Sequence, residues 1–283
     1  MTGVTTTGGH PVRTETLYVP TEDGRADAFA AFPQGGGRHP GVLMYADVFG
    51  IRPATREMAC ELAGHGYCVL VPNFLYRHGP TPLVDLPAYI SKEARPAIVA
   101  RLMPAIEAHT GDQARRDAAA YLAFLGARPE VSAGPVAVTG YCVGGLLAMR
   151  AAATHPGRVA AVAGFHNPVG PVAAFHGPLG DDGPGSLPGF LAGLTAEVHL
   201  GHAESDMTPA ALDGLNRVLD EAGTRHTSEI HPGTVHGFTM SDTHVFDPAA
   251  TRRHWDRLLD LLDRTLRGDA PAPADRTPSP PAG

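Results

Sequence analysis

The chain has 283 residues, 43% of them hydrophobic and 18% charged, enough apolar material to bury a proper core and too little charge for a disordered chain. Acidic residues outnumber basic ones by 29 to 22, so no positive field draws the chain to nucleic acid or to an anionic lipid surface. Three cysteines, Cys60, Cys68 and Cys142, make no disulfide framework and suit a reducing compartment. With no basic or apolar leader near Met1 and no run of 18 apolar residues, the expectation is a cytoplasmic protein off the membrane. Among the basic residues, Lys92 is the single lysine; the rest are arginine.

In chain order, TETLYVP (14–20) and ADAFAAFP (26–33) read as two strands around the turn signal Glu22-Asp23-Gly24. GVLMYAD (41–47) and YCVLVP (67–72) are short apolar runs of the buried-strand type, with a helix from Pro53 to His65 between them. Residues 78–111 break the pattern with prolines and weak helical pieces, before a helix from Gly111-Asp112 to Leu125. Then follow strand 135–140, helix 143–154, strand 159–165, a Gly/Pro-rich stretch (166–193), strand 196–201, helix 208–221, strand 225–231 and helix 248–266. This alternation predicts an α/β fold: a mostly parallel twisted sheet with helices on both faces. One domain is expected over 12–267, with 1–11 and 268–283 as flexible tails. The segments 78–111 and 166–193 are either pocket walls or lids, or surface decoration.

Chemistry concentrates at Gly140-Tyr141-Cys142-Val143-Gly144-Gly145, which leaves a strand and opens a helix. This is the G-x-S-x-G elbow with cysteine in the nucleophile position. The sharp turn brings the positions two before and two after the nucleophile close together, so glycine is favoured at both. The helix N-terminus favours negative charge on sulfur, and the Val143 N–H points where an oxyanion would form.

An elbow nucleophile needs an acid and then a histidine, in that chain order. His236 lies in the loop after strand 225–231, on the same sheet edge as Cys142, whereas His226 and His231 fall inside or at the end of that strand and read as structural. The acid belongs in the loop after strand 196–201; Asp206 is the better candidate and Glu204 the reserve. His199 and His202 straddle a strand end, a poor chelating geometry, and no metal-binding motif is present, so no metal or other cofactor is expected.

These residues carry a resemblance. Over roughly 15–266 the chain resembles the dienelactone hydrolases, carboxymethylenebutenolidase-like α/β-hydrolases, through Tyr45-Ala46-Asp47-Val48-Phe49-Gly50-Ile51, Val71-Pro72-Asn73-Phe74-Leu75-Tyr76-Arg77, the elbow, and the loops at Asp206 and His236-Gly237-Phe238. The resemblance implies Cys142 as nucleophile, His236 as general base, Asp206 as its orienter, and the N–H groups of Val48 and Val143 as an oxyanion hole. It implies Asp47 near the thiol, where the family usually has glutamate, beside an arginine, Arg77, that would meet a substrate carboxylate. Phe49, Tyr141, Phe238 and Met240 are expected at the substrate. Met240 stands where the dienelactone enzymes have a second arginine, so the implied substrate, a small ester or lactone, depends less on a carboxylate. The competing readings are a slow-turnover ligand-binding or regulatory protein on the same fold, and an isomerase or transferase using the same thiol.

Overall fold

In the computed structural model, which describes residues 6–167 and 193–268, the first two apolar runs form an antiparallel hairpin, β1 (Val12–Thr21) and β2 (Gly24–Pro33). Then follow β3 (Gly41–Tyr45), α1 (Pro53–Gly64), β4 (Cys68–Pro72), α2 (Arg95–Ala108), α3 (Gly111–Gly126), β5 (Val136–Tyr141), α4 (Val143–Thr154), β6 (Val159–Phe165), β7 (Glu197–Ala203), α5 (Pro209–Glu221), β8 (His226–His231) and α6 (Pro248–Leu266). The eight strands lie in the order β1-β2-β4-β3-β5-β6-β7-β8. Every pairing from β4 to β8 is parallel; β1 and β2 extend the β4 edge antiparallel.

The central strands β3 to β6 are largely apolar and buried because both faces of the sheet are covered there. Successive side chains alternate between faces. Leu43 and Tyr45 of β3 join the core beneath α2, α3 and α4, whereas Val42 and Met44 join the core beneath α1 and α6. Local sequence sets the helix ends. Thr110 and Gln113 form a reciprocal capping box at the start of α3. At α6, the Asp247 carboxylate accepts from Ala249 N and Ala250 N with Pro248 in the first turn.

One expectation changes. Residues 78–111 hold a full helix, α2, whose buried stripe is Ile98, Leu102 and Ile106. Pro96 and Pro104 disguise this stripe in the sequence. The segment leading to α2 is pinned: Ile90 N donates to Asp242 O (2.8 Å) and His244 N donates to Ile90 O (3.1 Å). Lys92 stands exposed between that bridge and Arg95. Within the expected N-terminal tail, His10 N donates to Gly64 O (3.0 Å) and Thr7 N to the Glu61 carboxylate. Of the 166–193 segment, residues 168–192 lie outside the described residues, as do 269–283.

Candidate active site

The elbow after β5 forms because nothing but glycine fits around it. A Cβ on Gly140 would stand 2.0 Å from Gly144 O, and one on Gly144 would stand 2.3 Å from Ala46 O at the end of β3. Cys142 takes φ 55°, a region L-residues seldom occupy, held by its N–H donating to Phe165 O (3.0 Å) on β6. Val143 opens α4, and first-turn N–H groups have no partner within the helix. Val48, just beyond β3, lines the same small cavity as Cys142.

The loops after β7 and β8 converge on the thiol. His236 Nε2 lies 3.1 Å from Cys142 Sγ, and its Nδ1–H donates to Asp206 Oδ2 (2.7 Å). Ser205 ties the two loops together: its Oγ accepts from His236 N (2.9 Å) and donates to Asp206 Oδ1 (3.1 Å). Burial opposes charge on His236, but the pull of Cys142 and the hydrogen bonds it makes to Asp206 and Cys142 outweigh it and carry the imidazole up to about 10. Glu204, the reserve acid, is exposed and braces Gly233 N instead. Burial pushes the other two thiols up, Cys60 to about 11 and Cys68 to about 12.

The cavity over Cys142 measures about 10 Å³, room for about one water. Asp47, Phe49, Arg95, His166, Met240 and Thr243 are among its walls. Asp47 is buried and gripped at both oxygens by Arg52, Nη1 to Oδ1 (2.6 Å) and Nη2 to Oδ2 (3.1 Å). Asp242 takes the rest of the same guanidinium, Nε to Oδ2 (2.6 Å) and Nη2 to Oδ1 (3.0 Å). The arginine beside Asp47 is therefore Arg52, and the expectation for Arg77 is corrected. Arg77 donates to both oxygens of the buried Asp117 on α3 (2.7 and 2.8 Å) and to Asp23 in the β1–β2 turn (2.6 Å). It staples the hairpin to the helix layer and does not line the cavity.

Two aromatic expectations are also corrected. Tyr141 precedes Cys142 by one residue, so its side chain falls on the opposite face. There it stacks on Phe165 at 5.8 Å between ring centroids, and its hydroxyl meets His254 Nε2 (3.0 Å). Phe238 is fully buried behind the cavity, packed edge-on to His166 at 5.6 Å. Two wall residues with ionisable side chains escaped the sequence reading, as did Thr243 and Val245. Arg95, at the start of α2, donates from Nη2 to His236 O (3.1 Å), and no carboxylate pairs with it among the described residues. His166 directly follows β6, and only that position beyond a strand C-terminus could have flagged it. Among the described residues no cluster of His, Cys, Asp or Glu is arranged to hold a metal ion, and no helix is long and apolar enough to cross a membrane.

A parallel sheet with a strand–cysteine–helix elbow after β5, and with an aspartate and a histidine brought to that cysteine by the loops after β7 and β8, has the arrangement of an α/β-hydrolase. Within that class the chain belongs to the dienelactone hydrolase family, whose model matches residues 26–266. It is a hydrolase acting on ester or lactone bonds. It is 31% identical over 240 residues to a carboxymethylenebutenolidase from a Pseudomonas species, covering 81% of this chain and 86% of that one. A carboxymethylenebutenolidase of Rhodococcus opacus is 23% identical over 237 residues, covering 80% and 81%. Among solved structures, a dienelactone hydrolase-like promiscuous phosphotriesterase from metagenomic libraries has the same fold, with TM-score 0.68, 20% identity, and coverage of 90% of this chain and 98% of that one.

Proposed function

We propose that the protein hydrolyses small esters or lactones through an acyl-thioester formed on Cys142. The observation that carries this reading is the placement of His236 between Cys142 Sγ and Asp206 Oδ2, at 3.1 and 2.7 Å. The Cys142 thiolate attacks the carbonyl carbon and the π electrons move onto oxygen, which the Val48 and Val143 N–H groups receive. As the tetrahedral species collapses, the C–O bond breaks and the leaving oxygen takes the proton from His236 Nε2. His236 then removes a proton from water, which attacks the thioester and restores the thiolate. Asp206 fixes the imidazole tautomer and steadies its charge in both halves.

Cys142→Ala is expected to lower kcat/KM for p-nitrophenyl acetate by several orders of magnitude with the fold intact. Iodoacetamide should block Cys142 well before Cys60 or Cys68, since both of those are buried and hard to ionise. Full activity in the alanine variant ends the thioester reading.

Arg95, not Arg77, is the cation we assign to a substrate carboxylate. It lines the cavity without an acidic partner among the described residues, while Arg52 and Arg77 are each spent on two carboxylates. With Met240 as the neighbouring wall, one arginine binds such a group without a fixed fork. Arg95→Ala should cut kcat/KM for a carboxylate-bearing ester by about tenfold to a hundredfold and change its neutral analogue little. Arg77→Ala should leave the ratio between the two substrates alone. An unchanged ratio in Arg95→Ala would remove the assignment.

A further inference from the structure

His166 occupies the cavity wall in a conformation that the fold enforces. Its φ is 39°, which a histidine adopts at a cost, and its N–H is tied across the sheet to Gly201 O (2.7 Å). The ring is fully buried, edge-on to His236 at 5.2 Å between centroids. Burial first, and then the charge of His236, hold it well below the ordinary histidine range, so it stays neutral beside a charged neighbour.

A neutral imidazole has one donor and one acceptor nitrogen, and the partners decide which is which. His166 Nε2 lies 2.9 Å from Thr239 Oγ1. The Thr239 hydroxyl has no other hydrogen-bond partner among the described residues, so it satisfies its proton only by donating to Nε2. Nε2 is then the acceptor, and Nδ1 carries the hydrogen. That Nδ1–H is buried and has no hydrogen-bond partner on another residue among the described residues. A buried donor left over in the wall of a reaction cavity suits an acceptor that arrives with the substrate.

Strand order says which part of the substrate that is. From Cys142 on β5, the Val48 side of the oxyanion hole lies toward β3; His166, Asp206 and His236 follow β6, β7 and β8 on the other side. The departing oxygen must meet His236 Nε2, so the leaving group lies on the His166 side. We propose that His166 is a further catalytic residue, whose Nδ1–H donates to the leaving oxygen as the C–O bond breaks. This rests on the thioester reading above, and it adds a donor whose value grows with the negative charge on that oxygen.

The readout is therefore the dependence of kcat/KM on leaving-group basicity, across aryl acetates from p-nitrophenyl to phenyl. His166→Phe keeps a neutral ring and removes the donor. Phenyl acetate should lose about tenfold more than p-nitrophenyl acetate, so the plot against phenol pKa steepens. His166→Asn tolerates positive φ and keeps an N–H, so it should stay nearer the wild-type slope. Should His166→Phe not fold, Thr239→Val reads the same contact, because without the hydroxyl the ring no longer holds one tautomer and the slope should again steepen. An equal loss for every ester in the series would make His166 a packing residue and overturn the proposal. Absence of any hydrolysis by the wild-type protein would instead strike the thioester reading, and this inference with it.

Discussion

At the scale of single residues, the proposed chemistry turns on the protonation of His236. In the proposed mechanism, its position up near 10 brings the imidazole into the reaction charged at neutral pH. The profile of kcat/KM for acylation should hold level through neutral pH and fall on the alkaline side as that proton is lost. Asp206→Asn removes the carboxylate that accepts from Nδ1, so the alkaline fall should move down toward the ordinary histidine value of about 6.5. The rate at pH 7 should drop by about a thousandfold to ten-thousandfold. Glu204→Gln, at an exposed acid holding only Gly233 N, should do neither. An unmoved alkaline limb in Asp206→Asn would show that Asp206 does not support the imidazolium.

At the scale of elements, the elbow ties three strand ends together. Gly144 lets α4 start against the backbone of β3, and Gly145 packs on the Asn167 side chain beyond β6, where a Cβ would stand 1.6 Å from Oδ1. Gly144→Ala has only rigid backbone to meet, so it should destabilise the fold by about 1–3 kcal/mol in urea denaturation and widen the Val48–Val143 spacing, with a matching loss of kcat. An alanine variant with wild-type midpoint and rate would contradict that steric account. The elbow was legible in the sequence because its glycines state this steric demand directly. The placement of Asp206 and His236 beside Cys142 was legible because their loops follow successive parallel strands. Arg77 was misread because its partners, Asp23 and Asp117, come from a distant turn and a distant helix face, which a local motif cannot reveal. Tyr141 was misread against a signal that was present: in a strand, the residue beside an inward nucleophile points the other way. Arg95 was hidden with α2, whose buried stripe is interrupted by prolines.

At the scale of the whole molecule, an unusual share of the interior is imidazole. His166, His199, His202, His231 and His254 are all buried, and burial holds each below the ordinary value, His199 and His202 at about 4 and His254 at about 3. Their folded forms stay neutral where the unfolded chain takes up protons. The stability they represent is complete above about pH 6.5 and is lost as pH falls below it, at about 1.4 kcal/mol per pH unit for each proton of difference. His236 has the opposite sign, its contribution fading as pH rises from about 6.5 toward 10. Urea midpoints should therefore fall steeply between pH 6.5 and 4; a level profile over that range would mean these histidines protonate without unfolding the protein. The other compositional extreme, an arginine-rich surface, has a practical side. Amine-reactive reagents find a single side-chain target, Lys92, exposed on the pinned segment three residues before Arg95. A fluorophore coupled there would sit beside the cavity and sense its occupancy, while resin attachment through the same amine would turn the cavity toward the support.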